Sequence, residues 1–152
     1  MTLDDFLKLW CSRIVFRMPA ETPLDMEGRL HGVVLYRDAP WQVQLFSVSP
    51  NGEIPDHIHP NVDSYEIYLS GEIAFRHSGI YITTPEMWVD TTKLFGLKIR
   101  VLPNDSHGGS FGPKGGAFLS IQHWLNNVPP SSVGYDWAYT SDDTRAKSYI
   151  NA

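Results

Sequence analysis

An antiparallel β-barrel or β-sandwich with one short leading helix is the fold class that this 152-residue sequence predicts. Two observations carry the prediction. From His31 onward, short apolar and alternating runs are separated by clusters of Gly, Pro, Asn and Asp at close spacing. No helical periodicity stands between those runs, as a parallel α/β sheet would require.

The elements follow in order along the chain. Thr2 and Asp5 have the spacing of a capping box, with Asp in place of the usual Glu or Gln. Leu3, Phe6, Leu7 and Trp10 then recur at helical spacing. This predicts an amphipathic helix covering one end of the core. Residues 18 to 28 carry two prolines and mixed charge and read as a connecting loop. Strands are expected over Gly32 to Arg37, Trp41 to Ser49, Tyr65 to Leu69, Glu72 to Arg76, Met87 to Asp90, Leu97 to Leu102 and Ala117 to Trp124. The breakers between them include Asp38-Ala39-Pro40, Ser49-Pro50-Asn51-Gly52, Ser70-Gly71, Pro103-Asn104-Asp105 and Gly112-Pro113-Lys114-Gly115-Gly116. Past Asn126 the chain turns polar after Pro129-Pro130 but keeps Tyr135, Trp137, Tyr139 and Tyr149, so it is expected to pack over the barrel. One domain is expected: a helix and lead-in over residues 1–30, a barrel over 31–125, and a C-terminal segment over 126–152.

Composition narrows the function classes. A hydrophobic content of 42% and a charged content of 19% are those of a globular protein. The net charge of -5, with no basic run, argues against a nucleic-acid partner. A single cysteine, Cys11, excludes an internal disulfide framework and a Cys-rich zinc site. No apolar run approaches the ~20 residues of a membrane span, and the N-terminus is acidic where a signal peptide would be basic. No membrane partner and a cytoplasmic location are expected.

His57-Ile58-His59 is the most telling stretch. Side chains two apart on an extended segment share a face, so the two imidazoles suit a divalent ion such as zinc, iron, nickel or copper. His107 supplies a third imidazole further on. His31 and His123 read as packed, hydrogen-bonded residues, and His77, before Ser78-Gly79, as an exposed turn residue.

With its strands on either side, this segment resembles the first motif of the cupin superfamily: glycine, His-x-His, a glutamate and a second glycine. Here Gly52 precedes His57 by one residue fewer than usual, and the span from His57 to Gly71 fits without a gap. Pro103-Asn104-Asp105-Ser106-His107 resembles the second motif one residue short, with Asp105 where glycine is usual. The resemblance covers roughly residues 40 to 125 and implies a double-stranded β-helix, or jelly-roll, barrel. It further implies a divalent transition metal (iron, nickel, zinc or manganese) held by His57, His59 and His107.

One position departs from the pattern. The glutamate of the first motif falls on Ser64, with Asp63 one residue earlier and Glu66 two later. Strand periodicity puts Ser64, Glu66 and Tyr68 on one face and Asp63, Tyr65 and Ile67 on the other. Three readings stay open. The three imidazoles hold a metal with Glu66 nearby; Glu66 or Asp63 completes the ligand set; or the site holds no metal and the histidines do acid–base or ligand-binding work. Glu66 and Tyr68 are the groups expected to move a proton. Arg76 and Arg100, if they face inward, favour a carboxylated ligand.

The resemblance thus implies a small metal-dependent enzyme acting on a small polar or carboxylated organic molecule by dioxygenase, lyase or isomerase chemistry. The alternative is a non-catalytic barrel that binds a small ligand or a protein partner. A homodimer is possible under either.

Overall fold

Thr2 and Asp5 cap the N-terminal helix as their spacing predicts. The Asp5 amide donates to Thr2 Oγ1 at 3.1 Å, and the Thr2 amide donates to Asp5 Oδ2 at 3.2 Å. The computed structural model describes residues 1–12, 24–26, 30–131 and 138–139. After helix α1 (Leu3–Ser12) come strands β1 (Leu24–Met26), β2 (Leu30–Asp38), β3 (Trp41–Val48), β4 (Glu53–Ile58), β5 (Val62–His77) and β6 (Ile80–Tyr81). A 3-10 helix (Pro85–Leu94) precedes β7 (Lys98–Val101), β8 (His107–Trp124) and β9 (Ala138–Tyr139).

All described strand pairs are antiparallel. The two long strands, β5 and β8, run side by side over almost their whole length. The C-terminal half of β8 also pairs with β3, and its N-terminal end pairs with β4, so β8 is shared between the two sides of the barrel.

Register fixes what faces the interior. Across β3, β8 and β5, the rows Gln42–Gln122–Ser64, Gln44–Ser120–Glu66 and Phe46–Phe118–Tyr68 share one face. The intervening rows Val43–Ile121–Tyr65 and Leu45–Leu119–Ile67 point the opposite way. That opposite face is apolar and is covered by α1, whose Leu3 and Phe6 are buried with Leu35, Val43, Tyr65, Leu119 and Ile121. Phe6 stacks on Trp41 at 4.7 Å, and Tyr65 donates to Asp4 at 2.6 Å. Burying each of the two helix residues stabilises the fold by about 1.5–3 kcal/mol. The side chain of Trp10 lies outside the described part of the structure.

Several expected elements come out differently. Met87 to Asp90, read as a strand, lies in the 3-10 helix, which Pro85 opens at its first position. Only Trp88 of that run turns inward, its indole donating to Ile73 O at 3.1 Å, while Val89 is 93% exposed. The strands expected at Tyr65 to Leu69 and Glu72 to Arg76 are one strand, bent where its register shifts around Ser70 and Gly71. The break expected at Gly112 to Gly116 lies inside β8. Residues 18–28, read as a loop, contain β1, paired with β2. Packing of Asn126–Ala152 over the barrel falls largely outside the described residues, but Ala138–Tyr139 pairs with β4 beside His57.

Gly71 holds the bend in β5. Its φ is +82°, and a Cβ there would lie on Gly115 O and Gly116 Cα, both backbone atoms that cannot swing away. Gly71→Ala is expected to destabilise the fold by at least about 2 kcal/mol. Gly79→Ala, at a φ of +76° in open space, should lose only the conformational part, about 1–2 kcal/mol. Urea denaturation of both variants checks the difference.

Candidate metal centre and ligand cavity

β4 and β8 place His57 directly opposite His107, and His59 follows two residues on. The turn before β8 closes the set. The Asn104 amide donates to His59 O at 3.0 Å, so the chain on either side of the site is tied together just ahead of His107. Asp105, where the resemblance leads one to expect glycine, holds that turn: its Oδ2 accepts from the Leu102 amide at 2.9 Å and from His77 Nε2 at 3.0 Å. His77 is therefore half-buried beside the site and not an exposed turn residue. His123 stacks on Trp41 at 4.1 Å on the helix-covered face, away from the other imidazoles. The side chain of His31 is outside the described part of the structure.

The three imidazoles converge. One ligand nitrogen from each of His57, His59 and His107 lies within 4.8 Å of the other two, and the ring centroids are 4.3–5.1 Å apart. His57 Nδ1 donates to Pro55 O at 2.8 Å, and His107 Nδ1 donates to Asp105 O at 2.9 Å. A carbonyl only accepts, so both rings carry their proton on Nδ1 and present the Nε2 lone pair. Burial, reinforced by the neighbouring imidazole of His107, holds His57 well below its ordinary 6.5. Burial and the imidazoles of His57 and His107 hold His59 well below it, and burial brings His107 down to about 4. Neutral imidazoles, two of them with the Nε2 lone pair oriented by a backbone carbonyl, are the form in which histidine binds a divalent ion. His57 Nε2 and His59 Nε2 are 3.1 Å apart, close to the edge of about 3.3 Å in a tetrahedral site with 2.0–2.1 Å bonds. The donor set fits a metal.

The cavity these rings line has a volume of about 60 Å³, room for a few waters or an organic molecule of a few non-hydrogen atoms. Its walls are mostly apolar, with Phe46, Phe75, Phe118 and Trp124 among them. One wall is polar: Gln44, Ser64, Glu66, Ser120 and Gln122 face the same space from the β3–β8–β5 rows. Glu66 Oε1 accepts from Ser64 Oγ at 2.9 Å and Ser120 Oγ at 3.0 Å. Burial outweighs these bonds and pushes the carboxyl up to about 7.

The other sequence candidates sit elsewhere. Asp63 is on the far face of β5, in a two-pronged ion pair with Arg100 at 2.6 Å per contact, so the structure does not bring it to the imidazoles. Tyr68 faces inward but not into the cavity: it is fully buried, donates to Gly71 O and accepts from the Ile73 amide at 3.2 Å. Its hydroxyl fastens the bend of β5. Arg76 lines the cavity, but Asp56 at 2.9 Å and Glu53 at 2.6 Å already match its charge. Neither arginine is a ready anchor for a ligand carboxylate.

Sequence reasoning missed Gln44, Ser120 and Gln122. The signal was present in the period-two pattern of Trp41 to Val48, where Gln42 and Gln44 alternate with Val43 and Leu45. Such alternation ordinarily marks the polar set as solvent-facing. Here α1 covers the apolar set, and the polar set lines the interior.

No family model matches the chain, and no curated protein matches it. Among solved structures it is similar to an RmlC-like cupin from Shewanella frigidimarina, with a TM-score of 0.57, 16% identity, and coverage of 76% of this chain and 91% of that one. It is similar as well to a double-stranded β-helix protein from Klebsiella pneumoniae, with a TM-score of 0.54, 18% identity, and coverage of 93% and 96%. A third likeness is to a predicted oxalate decarboxylase from Thermotoga maritima, with a TM-score of 0.58, 16% identity, and coverage of 74% and 100%. Identities this low carry the fold alone.

Proposed function

We propose that this chain, a cupin by its fold, is a small metal-dependent enzyme acting on a small polar or carboxylated organic molecule. The observation that carries the reading is the convergence of His57, His59 and His107 on one point of a mostly apolar cavity. His57, His59 and His107 would hold the ion. A divalent ion so held supplies Lewis-acid or oxygen-activating chemistry, with positions left open for substrate and water.

The chain's own residues do the rest. Pro55 O and Asp105 O fix the tautomers of two rings. The apolar walls exclude bulk water and favour a compact organic ligand. Glu66, which lines the cavity and has Oε1 engaged by two hydroxyls, holds or releases a proton at Oε2 near neutral pH. A non-catalytic ligand-binding barrel is the second reading, favoured by Ser64 at the position where the resemblance leads one to expect a carboxylate ligand.

Elemental analysis of protein purified without added metal separates the two readings. Stoichiometric iron, nickel, zinc or manganese is expected. A protein that stays metal-free, and takes up none when offered each ion, would exclude the metal enzyme.

A further inference from the structure

The hydrogen bonds of the polar wall run in one direction only. The Trp124 indole N–H, which cannot accept, donates to Gln122 Oε1 at 2.8 Å, and the Gln42 amide donates to the same oxygen at 2.9 Å. The Gln122 amide nitrogen is thereby fixed on the other side, donating to Gln44 Oε1 at 2.8 Å and Ser120 Oγ at 3.0 Å. Ser120 then gives its own proton to Glu66 Oε1, which also accepts from Ser64.

Two atoms stand at the ends of this chain with no hydrogen-bond partner, Gln44 Nε2 and Glu66 Oε2. Both residues line the cavity, at 3% and 9% exposure. They flank Ser120 from the two neighbouring strands, so their side chains approach one region from opposite sides. With Oε1 taken by two hydroxyl donors, a proton on Glu66 sits on Oε2. Buried polar atoms left in this way are costly, and a matching ligand removes that cost.

We propose that Gln44 and Glu66 form a carboxylate-binding subsite, one ligand oxygen accepting from the Gln44 amide and the other from the Glu66 hydroxyl. The choice of an anion rests on the metal reading. Three neutral imidazoles and a neutral Glu66 leave the charge of a divalent ion uncompensated inside the cavity, and a ligand carboxylate offsets half of it. In the metal-free protein, burial of Glu66 keeps its proton in place up to about pH 7. The other titratable groups lining the space are His57, His59 and His107, held neutral by burial, and Arg76, matched by Glu53 and Asp56. Facing Glu66 directly from β8 and β7 are Ser120 and Ile99, neither of which titrates.

The test uses propionate, a carboxylate small enough for the cavity, titrated by NMR into metal-loaded and metal-free protein between pH 5.5 and 8.5. In the metal-free wild-type protein, affinity should fall about tenfold per pH unit above pH 7 as Oε2 loses its proton. Glu66→Gln, whose amide N–H replaces the hydroxyl, should bind at the low-pH affinity throughout. Gln44→Leu should bind about tenfold or more weakly at every pH with the wild-type profile. PH-independent binding by the metal-free wild-type protein, a Glu66→Gln protein that still loses affinity above pH 7, or no propionate binding at any pH would overturn the subsite. Metal content is measured on the same samples. A flat profile in the metal-free form of a protein that does load metal sinks the subsite and leaves the metal reading intact. A Glu66-dependent profile in protein that never binds metal does the reverse.

Discussion

Replacing both His57 and His59 by alanine is expected to abolish metal binding, from about one divalent ion per chain to none detectable. Changing the outer partners of a metal ligand already costs 10–100-fold in affinity, so deleting two ligands should cost well over ~100-fold. His107→Ala should behave in the same way, because its Nε2 completes the group. His123→Ala is the control: its ring packs on Trp41 on the helix-covered face and should leave the metal in place. Stability gives a second readout. An ion that binds the folded chain at a thousandfold excess over its Kd stabilises it by about 4 kcal/mol. Adding metal should therefore raise the Tm of the wild-type and His123→Ala proteins and leave that of the double variant unchanged. Equal metal content in all three proteins would remove the proposed centre.

Glu66→Gln is expected to stabilise the metal-free protein above neutral pH and to give no such gain in acid. The folded carboxyl is raised from its ordinary 4.5 to about 7, chiefly by burial. The native state therefore holds a proton that the unfolded chain has released between those values. The favourable contribution is fully present below 4.5 and is lost as pH rises through about 7, which amounts to about 3 kcal/mol. Glutamine keeps the acceptor for Ser64 and Ser120 and has nothing to ionise. The difference in stability between variant and wild type should grow from below pH 4.5 to above pH 7 and then level off. The depressed histidines act in the opposite sense: their contribution is present above 6.5 and lost as pH falls. That effect is common to both proteins and cancels in the difference. Urea denaturation at pH 4.5, 6 and 8 measures it, and a difference constant across that range would show that Glu66 is not raised.

The capping box at Thr2 and Asp5, the run of short strands and the His57/His59 pair were legible in the sequence because each depends on spacings of two to four residues. Local periodicity also placed Ser64, Glu66 and Tyr68 on one face of β5, and the register agrees. What spacing alone did not decide was depth along that face. Glu66 ends at the cavity wall, whereas Tyr68, two residues on, fastens the Gly71 bend beyond it. The Met87 to Asp90 run misled because apolar character was read as burial, while Pro85 set a 3-10 turn that exposes Val89.

By itself, the sequence determined an all-β body with an N-terminal helix and two histidines held on one strand face. Tertiary structure alone decided that His107 joins them and that Asp63 is taken by Arg100. It also decided that Gln44, Ser120 and Gln122 line the interior. The physical reason is that strand periodicity sorts residues into two faces without saying which one is covered. That depends on where α1 docks and on the long-range register of β3, β8 and β5, which bring together residues as far apart in the chain as Trp41 and His123.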